Sequence, residues 1–186
     1  MVSFWPFSSG GNRIQDLKAP QLAEAALKSM QKSGRTAYSL RLIYRTLELD
    51  PFHPHALLIL SELFRGKYMG AKPKGDEALS GIIIEYAMDR KNVLPAEQKR
   101  HFDKARLDLM TQWGFVTSRG TESEVDHIGY MTYINEQLGK FQSVTNGFLI
   151  AMAKLGIQAG VYDPGKNTPS RAYQDWLRTD ASTLRH

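Results

Sequence analysis

The sequence predicts an all-α fold, and three observations lead to it. Apolar residues recur three and four apart through most of the chain, the period of an amphipathic helix. Prolines stand where such segments begin and glycines where they stop. No stretch alternates apolar and polar residues convincingly enough for a strand.

Residues 1–18 read as an arm, with Phe4, Trp5 and Phe7 followed by a Ser/Gly-rich hinge. Pro20 suits the first turn of a helix, where its missing N–H would be unpaired anyway. Leu22, Ala26, Leu27 and Met30 give that helix one apolar face, and Gly34 is placed to end it in a left-handed conformation. The next helix puts Leu40, Ile43, Tyr44 and Leu47 together, with Arg41 and Arg45 pointing elsewhere. Pro51 stops it, because proline has no donor and the residue before it avoids the helical region. Pro54 then opens a third helix whose stripe is Leu57, Leu60, Leu63 and Phe64. Two prolines three apart predict a sharp corner.

Residues 67–75 are a Gly-, Pro- and Lys-rich loop. A helix over about 76–90 carries Leu79, Ile82, Ile83, Tyr86 and Ala87, and another starts at Pro95 and stops at Gly114. Residues 117–126 read as a loop, with Ser123 capping the next helix. From 125 to 158 apolar residues repeat through Ile128, Met131, Ile134, Leu138, Phe141, Val144, Phe148, Met152 and Leu155. One helix of that length would span about 50 Å, so a break is expected at Gly139 or at Asn146–Gly147. The tail turns at Asp163–Gly165 and then forms a short helix capped by Thr168, with Tyr173, Trp176 and Leu177 apolar. The organisation expected is therefore an arm (1–18), two hairpins (19–94), further helices completing the core (95–162) and a tail (163–186).

A hydrophobic fraction of 42 % is ordinary for a soluble globular chain. With no cysteine there is no disulfide framework, which suits a reducing, cytoplasmic location or the cytoplasmic face of a membrane complex. The first residues lack a basic region and a continuous apolar run, so no secretory signal is expected. Residues 141–162 contain Gln142, Asn146, Lys154 and Gln158, too polar for a membrane span, and read as a buried helix. The net charge is +5, but acids are interspersed among the bases, which argues against an uninterrupted nucleic-acid surface.

At Thr46–Phe64 the sequence "TLELDPFHPHALLILSELF" is similar to the junction between tetratricopeptide-type repeats, and residues 20 to about 90 resemble two such repeats. In a frame of about 34 residues, Ser39, Ile43 and Thr46 take the small, bulky and small positions of a second helix. Leu57 and Leu60 take the large apolar positions of the next first helix and Ser61 its small one, and Ser80, Ile84 and Ala87 follow if 67–75 is an insertion. Ala23 departs from the pattern, since a bulky aromatic is common there. The resemblance implies antiparallel hairpins stacked as a short right-handed solenoid, capped by the later helices. It also implies binding of a peptide or helix in a groove lined by the first helices. Those residues are Glu24, Lys28 and Gln31, then His55, Leu58, Glu62 and Arg65. With two glutamates and no asparagine, this face does not suit a terminal carboxylate.

Motifs for chemistry are few. His53 and His55 flank a proline with no shared helix face and no cysteine, and read as a turn and helix start. Asp126–His127 reads as a helix N-terminus. Gly156 and Gly160 have the spacing of a close-packing helix surface, but outside a membrane they read as chance or a frayed helix end. No phosphate-binding loop occurs. No catalytic residue, cofactor or metal is expected. The aromatic arm, which it costs about 25 cal/mol per Å² to leave in water, has three destinations open to it: its own domain, a partner's groove or a membrane interface. The expected function is a protein-binding adaptor or accessory subunit of a complex. The alternatives are a peripheral membrane-associated subunit and an α-helical enzyme with a scattered site.

Overall fold

The computed structural model describes residues 12–66, 76–89, 95–119, 122–137, 139, 143–166 and 168–185. The arm residues Phe4, Trp5 and Phe7, the 67–75 loop, Leu138 and Phe141 lie outside them. The chain is mostly helical. Its α-helices are α1 (Ala19–Ser33), α2 (Ala37–Leu49), α3 (Pro54–Arg65), α4 (Asp76–Met88), α5 (Ala96–Gln112), α6 (His127–Gln137), α7 (Val144–Gln158) and α8 (Arg171–Leu177). It divides into two compact units, one running to Leu49 and resuming at Gly156, the other Asp50–Leu155.

In the first unit α1 and α2 pack as a hairpin. Pro20 lies in the first turn of α1, and the Gln21 side chain accepts from the Lys18 backbone N–H at 2.9 Å, satisfying one of the donors a helix start leaves open. Leu22, Ala23, Ala26 and Met30 are buried, whereas Leu27, expected among them, is exposed. Gly34 has positive φ as expected, but its ψ of −149° puts it in the extended mirror region that glycine alone enters readily. The first and last described segments meet here. The Ile14 N–H donates to the Thr179 carbonyl at 3.0 Å and the Ala181 N–H to the Asn12 carbonyl at 2.7 Å, burying Ile14 completely. Helix α8 lays Trp176 against Tyr38 and Tyr173 against Tyr44. Its cap is Ser170, whose Oγ accepts from the Tyr173 N–H at 3.1 Å. Thr168 does not cap it, because Pro169 lies in a bridge with Tyr162 that keeps the chain extended.

The second unit is built around α4. Residues 78–87 are all buried, so α4 is apolar on every side, as a helix enclosed by others must be. Helices α3, α5 and α6 pack on it. Helix α7 does so through Gly147 against Ile82 and through Phe148, whose ring stacks 4.1 Å from Tyr86. Before α3 the Asp50 carboxylate accepts from the Phe52 N–H and its carbonyl from the His53 N–H, each at 3.1 Å. That is the turn an Asp-Pro pair favours, and Pro54 follows as the first helical residue.

Four expectations are corrected in this unit, and the expected break in the long apolar run is found at Gly139, the first of its two candidate places. Strands are present: β1 (Val116–Arg119) pairs antiparallel with β2 (Glu122–Val125), Val116 opposite Val125, where a loop was expected. Ser123 therefore sits in a strand, and α6 is capped by Asp126, whose Oδ1 accepts from the Gly129 N–H at 2.8 Å. The long apolar run breaks between Gln137 and Val144, with Gly139 at φ 67°, while Asn146 and Gly147 lie inside α7. Ile128 is 82 % exposed rather than part of a stripe. Nor is α7 wholly buried, since Leu149 (58 % exposed) and Ile150 face outward. No helix among the described residues is long and apolar enough to cross a membrane.

Candidate interaction surfaces

The sequence-predicted groove residues occupy two places. In the first unit Glu24 and Lys28 form an exposed i,i+4 ion pair at 2.7 Å, and the Lys28 ammonium, hydrogen-bonded to it, holds the Glu24 carboxyl below its usual range. Gln31 is exposed one turn further on. In the second unit His55 is exposed, and Leu58, Glu62 and Arg65 are half-buried along one side of α3.

That side of α3 meets α5. The Gln98 side-chain amide donates to His55 Nε2 at 3.0 Å, and Arg65 lies 3.9 Å from the Asp108 carboxylate. Both pairs are 43 residues apart in sequence, so α5 runs parallel to α3 at constant offset. Sequence reasoning found the α3 residues and missed their neighbours. Gln98 and Asp108 carry no local signal.

A second cluster ties three helices. Glu85 of α4, 8 % exposed, meets Arg106 of α5 with Nε 2.6 Å from Oε1. The Arg106 guanidinium carbon lies 5.6 Å from the ring centroid of Tyr130 on α6, which is fully buried. Burial pushes the Glu85 carboxyl up, against the pull of Arg106, and raises the Tyr130 phenol.

Around Tyr130 the end of α5, the hairpin and α6 form an aromatic face. Trp113 and Tyr133 are 5.1 Å apart between centroids, Phe115 and Tyr133 5.6 Å, and Trp113 and Tyr130 5.9 Å. Trp113, Phe115 and Tyr133 are half-buried. Trp113 Nε1 donates to the Glu77 carboxylate at 3.3 Å. Comparison with family models, curated proteins and solved structures finds no match to this chain.

In the first unit the equivalent cluster is tyrosine-rich. The Tyr44 and Tyr162 hydroxyls are hydrogen-bonded, and Tyr173 donates to Glu48 at 3.3 Å. Gly156 allows this: a Cβ there would come within 2.6 Å of Tyr162 and 2.9 Å of Tyr44, so the glycine is a close-packing position and no chance match. Gly160, at φ 66°, is where the backbone leaves the helix. In the second unit His53 occupies the position before α3 with its ring buried and no side-chain capping bond. That burial lowers its pKa more than nearby Asp50 raises it.

Proposed function

We propose that this chain is a non-enzymatic adaptor or accessory subunit that binds another protein through its helical surface. The observation that carries the reading is the parallel run of α5 beside α3. In a tetratricopeptide-type stack the first helices of successive hairpins run the same way and line the binding groove. The 43-residue offset exceeds the repeat of about 34 residues by nine, the length of the 67–75 segment. On this reading α5 stands where the first helix of a third hairpin would, in the short right-handed stack that the resemblance implies. His55, Leu58, Glu62 and Arg65 then belong to a binding face continued by α5. The absence of cysteine is in keeping with a cytoplasmic setting.

Affinity capture from the native source, read by mass spectrometry, tests this. A Leu58→Arg/Glu62→Ala variant that keeps the wild-type melting temperature should lose the captured partner. Wild-type protein that retains nothing, or a variant that retains everything, would overturn it.

A membrane-associated subunit is the second reading, favoured by the outward Leu149 and Ile150 on a helix with no acidic residue. Flotation with anionic liposomes would support that reading at the expense of the first. The enzymatic reading would rest on Glu85, Arg106 and Tyr130. Their engagement with one another beneath α4, α5 and α6 supports a structural tie instead.

A further inference from the structure

We propose that the aromatic face formed by the end of α5, the β1–β2 hairpin and α6 is a docking surface for a basic protein segment, one presenting arginine or lysine side chains. The inference rests on the adaptor reading and names a second surface with its partner chemistry. Three observations carry it.

First, Trp113, Phe115 and Tyr133 are half-exposed, yet their rings are already fixed against one another and against buried Tyr130. An ordered aromatic platform loses little freedom on binding, and such rings are common anchors at interfaces.

Second, the charge on this stretch is opposite to that of the chain. Residues 113–137 carry Glu122, Glu124, Asp126 and Glu136 against Arg119 alone, in a chain of net charge +5. In the hairpin register Thr117 faces Glu124 and Arg119 faces Glu122, on the side of the strands away from Val116 and Val125, which pack on the core. The Glu77 carboxylate adds a further acid at the Trp113 indole. The net negative charge of this stretch steers cations toward it and turns anionic lipid and nucleic acid away.

Third, the cluster already holds a cation this way from within. Arg106 lies over the Tyr130 ring while paired to Glu85, so one guanidinium rests on an aromatic ring beside a carboxylate. The outer rings offer a partner the same kind of contact.

The probe is a labelled synthetic peptide of alternating arginine and glycine, with a glutamate–glycine peptide as control, titrated into the full chain at low salt by fluorescence anisotropy. The arginine peptide should bind and the glutamate peptide should not. Tyr133→Ala should weaken binding about ten-fold, the scale of one lost cation–π contact. Glu122→Gln/Glu124→Gln changes only exposed strand positions and should fold as wild type, yet it should weaken binding and flatten its salt dependence. Binding that ignores both changes, or no binding at all, overturns the proposal. Affinity capture with the same variants separates the two levels of inference. A partner captured equally by wild type and both variants removes this surface and leaves the adaptor reading standing, whereas a wild-type chain that captures nothing removes both.

Discussion

Glu85 and Arg106 form an ion pair with Nε 2.6 Å from Oε1, and burial still raises the carboxyl above its ordinary value of 4.5. The proton-bound form of Glu85 is thus favoured by folding. Its contribution to stability is complete below pH 4.5 and is lost as pH rises through the raised value. Glu85→Gln removes this dependence. In urea unfolding from pH 4 to 7, the stability of wild type relative to Glu85→Gln should fall as pH rises. A relative stability that climbs with pH would mean that Arg106 outweighs desolvation.

Gly147 is required by packing. A Cβ on it would lie 2.5 Å from Cγ2 of Ile82, which is buried and cannot turn away. Gly147→Ala gains about 1 kcal/mol of helix propensity, but overpacking costs about 1–3 kcal/mol. Chemical denaturation should show net destabilisation. Ile82→Ala should relieve part of it, giving a non-additive double-mutant cycle.

Leu60 is fully buried on α3. Leu60→Ala should cost about 2–5 kcal/mol, the range for truncating a core leucine. A loss below about 1 kcal/mol would show that α3 turns a different face to α4.

How much of this was legible in the sequence depends on the range of the signal. The stripes of α2 and α3 and the starts at Pro20, Pro54 and Pro95 are local, and the residues themselves state them. The face of α4 is not local, because a helix apolar all round gives the period no contrast. The hairpin was missed because its strands are four residues long and mostly Thr, Ser, Arg and Glu, with only Val116 and Val125 apolar. The pairing of those two valines over the Tyr130 core holds it. The α3 positions His55, Leu58, Glu62 and Arg65 were picked from the repeat frame, and the structure shows them exposed or half-buried. Their contacts on α5 were not legible, because Gln98 and Asp108 carry no local signal, and the aromatic face was not, because its rings come from separate elements.

His53 has its pKa lowered chiefly by burial, so folding favours the neutral ring. Its contribution is present above pH 6.5 and is lost as pH falls through the lowered value. His53→Asn keeps a residue suited to a helix start and removes the titration. Between pH 7.5 and 5, the melting temperature of wild type should drop more than that of His53→Asn. Parallel declines would assign the acid sensitivity to other groups.

The start of α6 distinguishes two candidate caps three residues apart. Asp126 accepts from the Gly129 N–H at 2.8 Å, whereas Ser123 lies in β2 opposite Ser118, with the two hydroxyls 3.5 Å apart on the exposed hairpin. Asp126→Ala should therefore cost about 1 kcal/mol, the usual loss for a helix cap. It also removes a negative charge from the positive end of the helix dipole, which adds in the same direction. Ser123→Ala should stay within about 0.5 kcal/mol of wild type, as exposed surface changes do. Urea midpoints for the two single variants decide between them. If Ser123→Ala proves the costly change, then α6 begins earlier and the Val116–Val125 register is wrong.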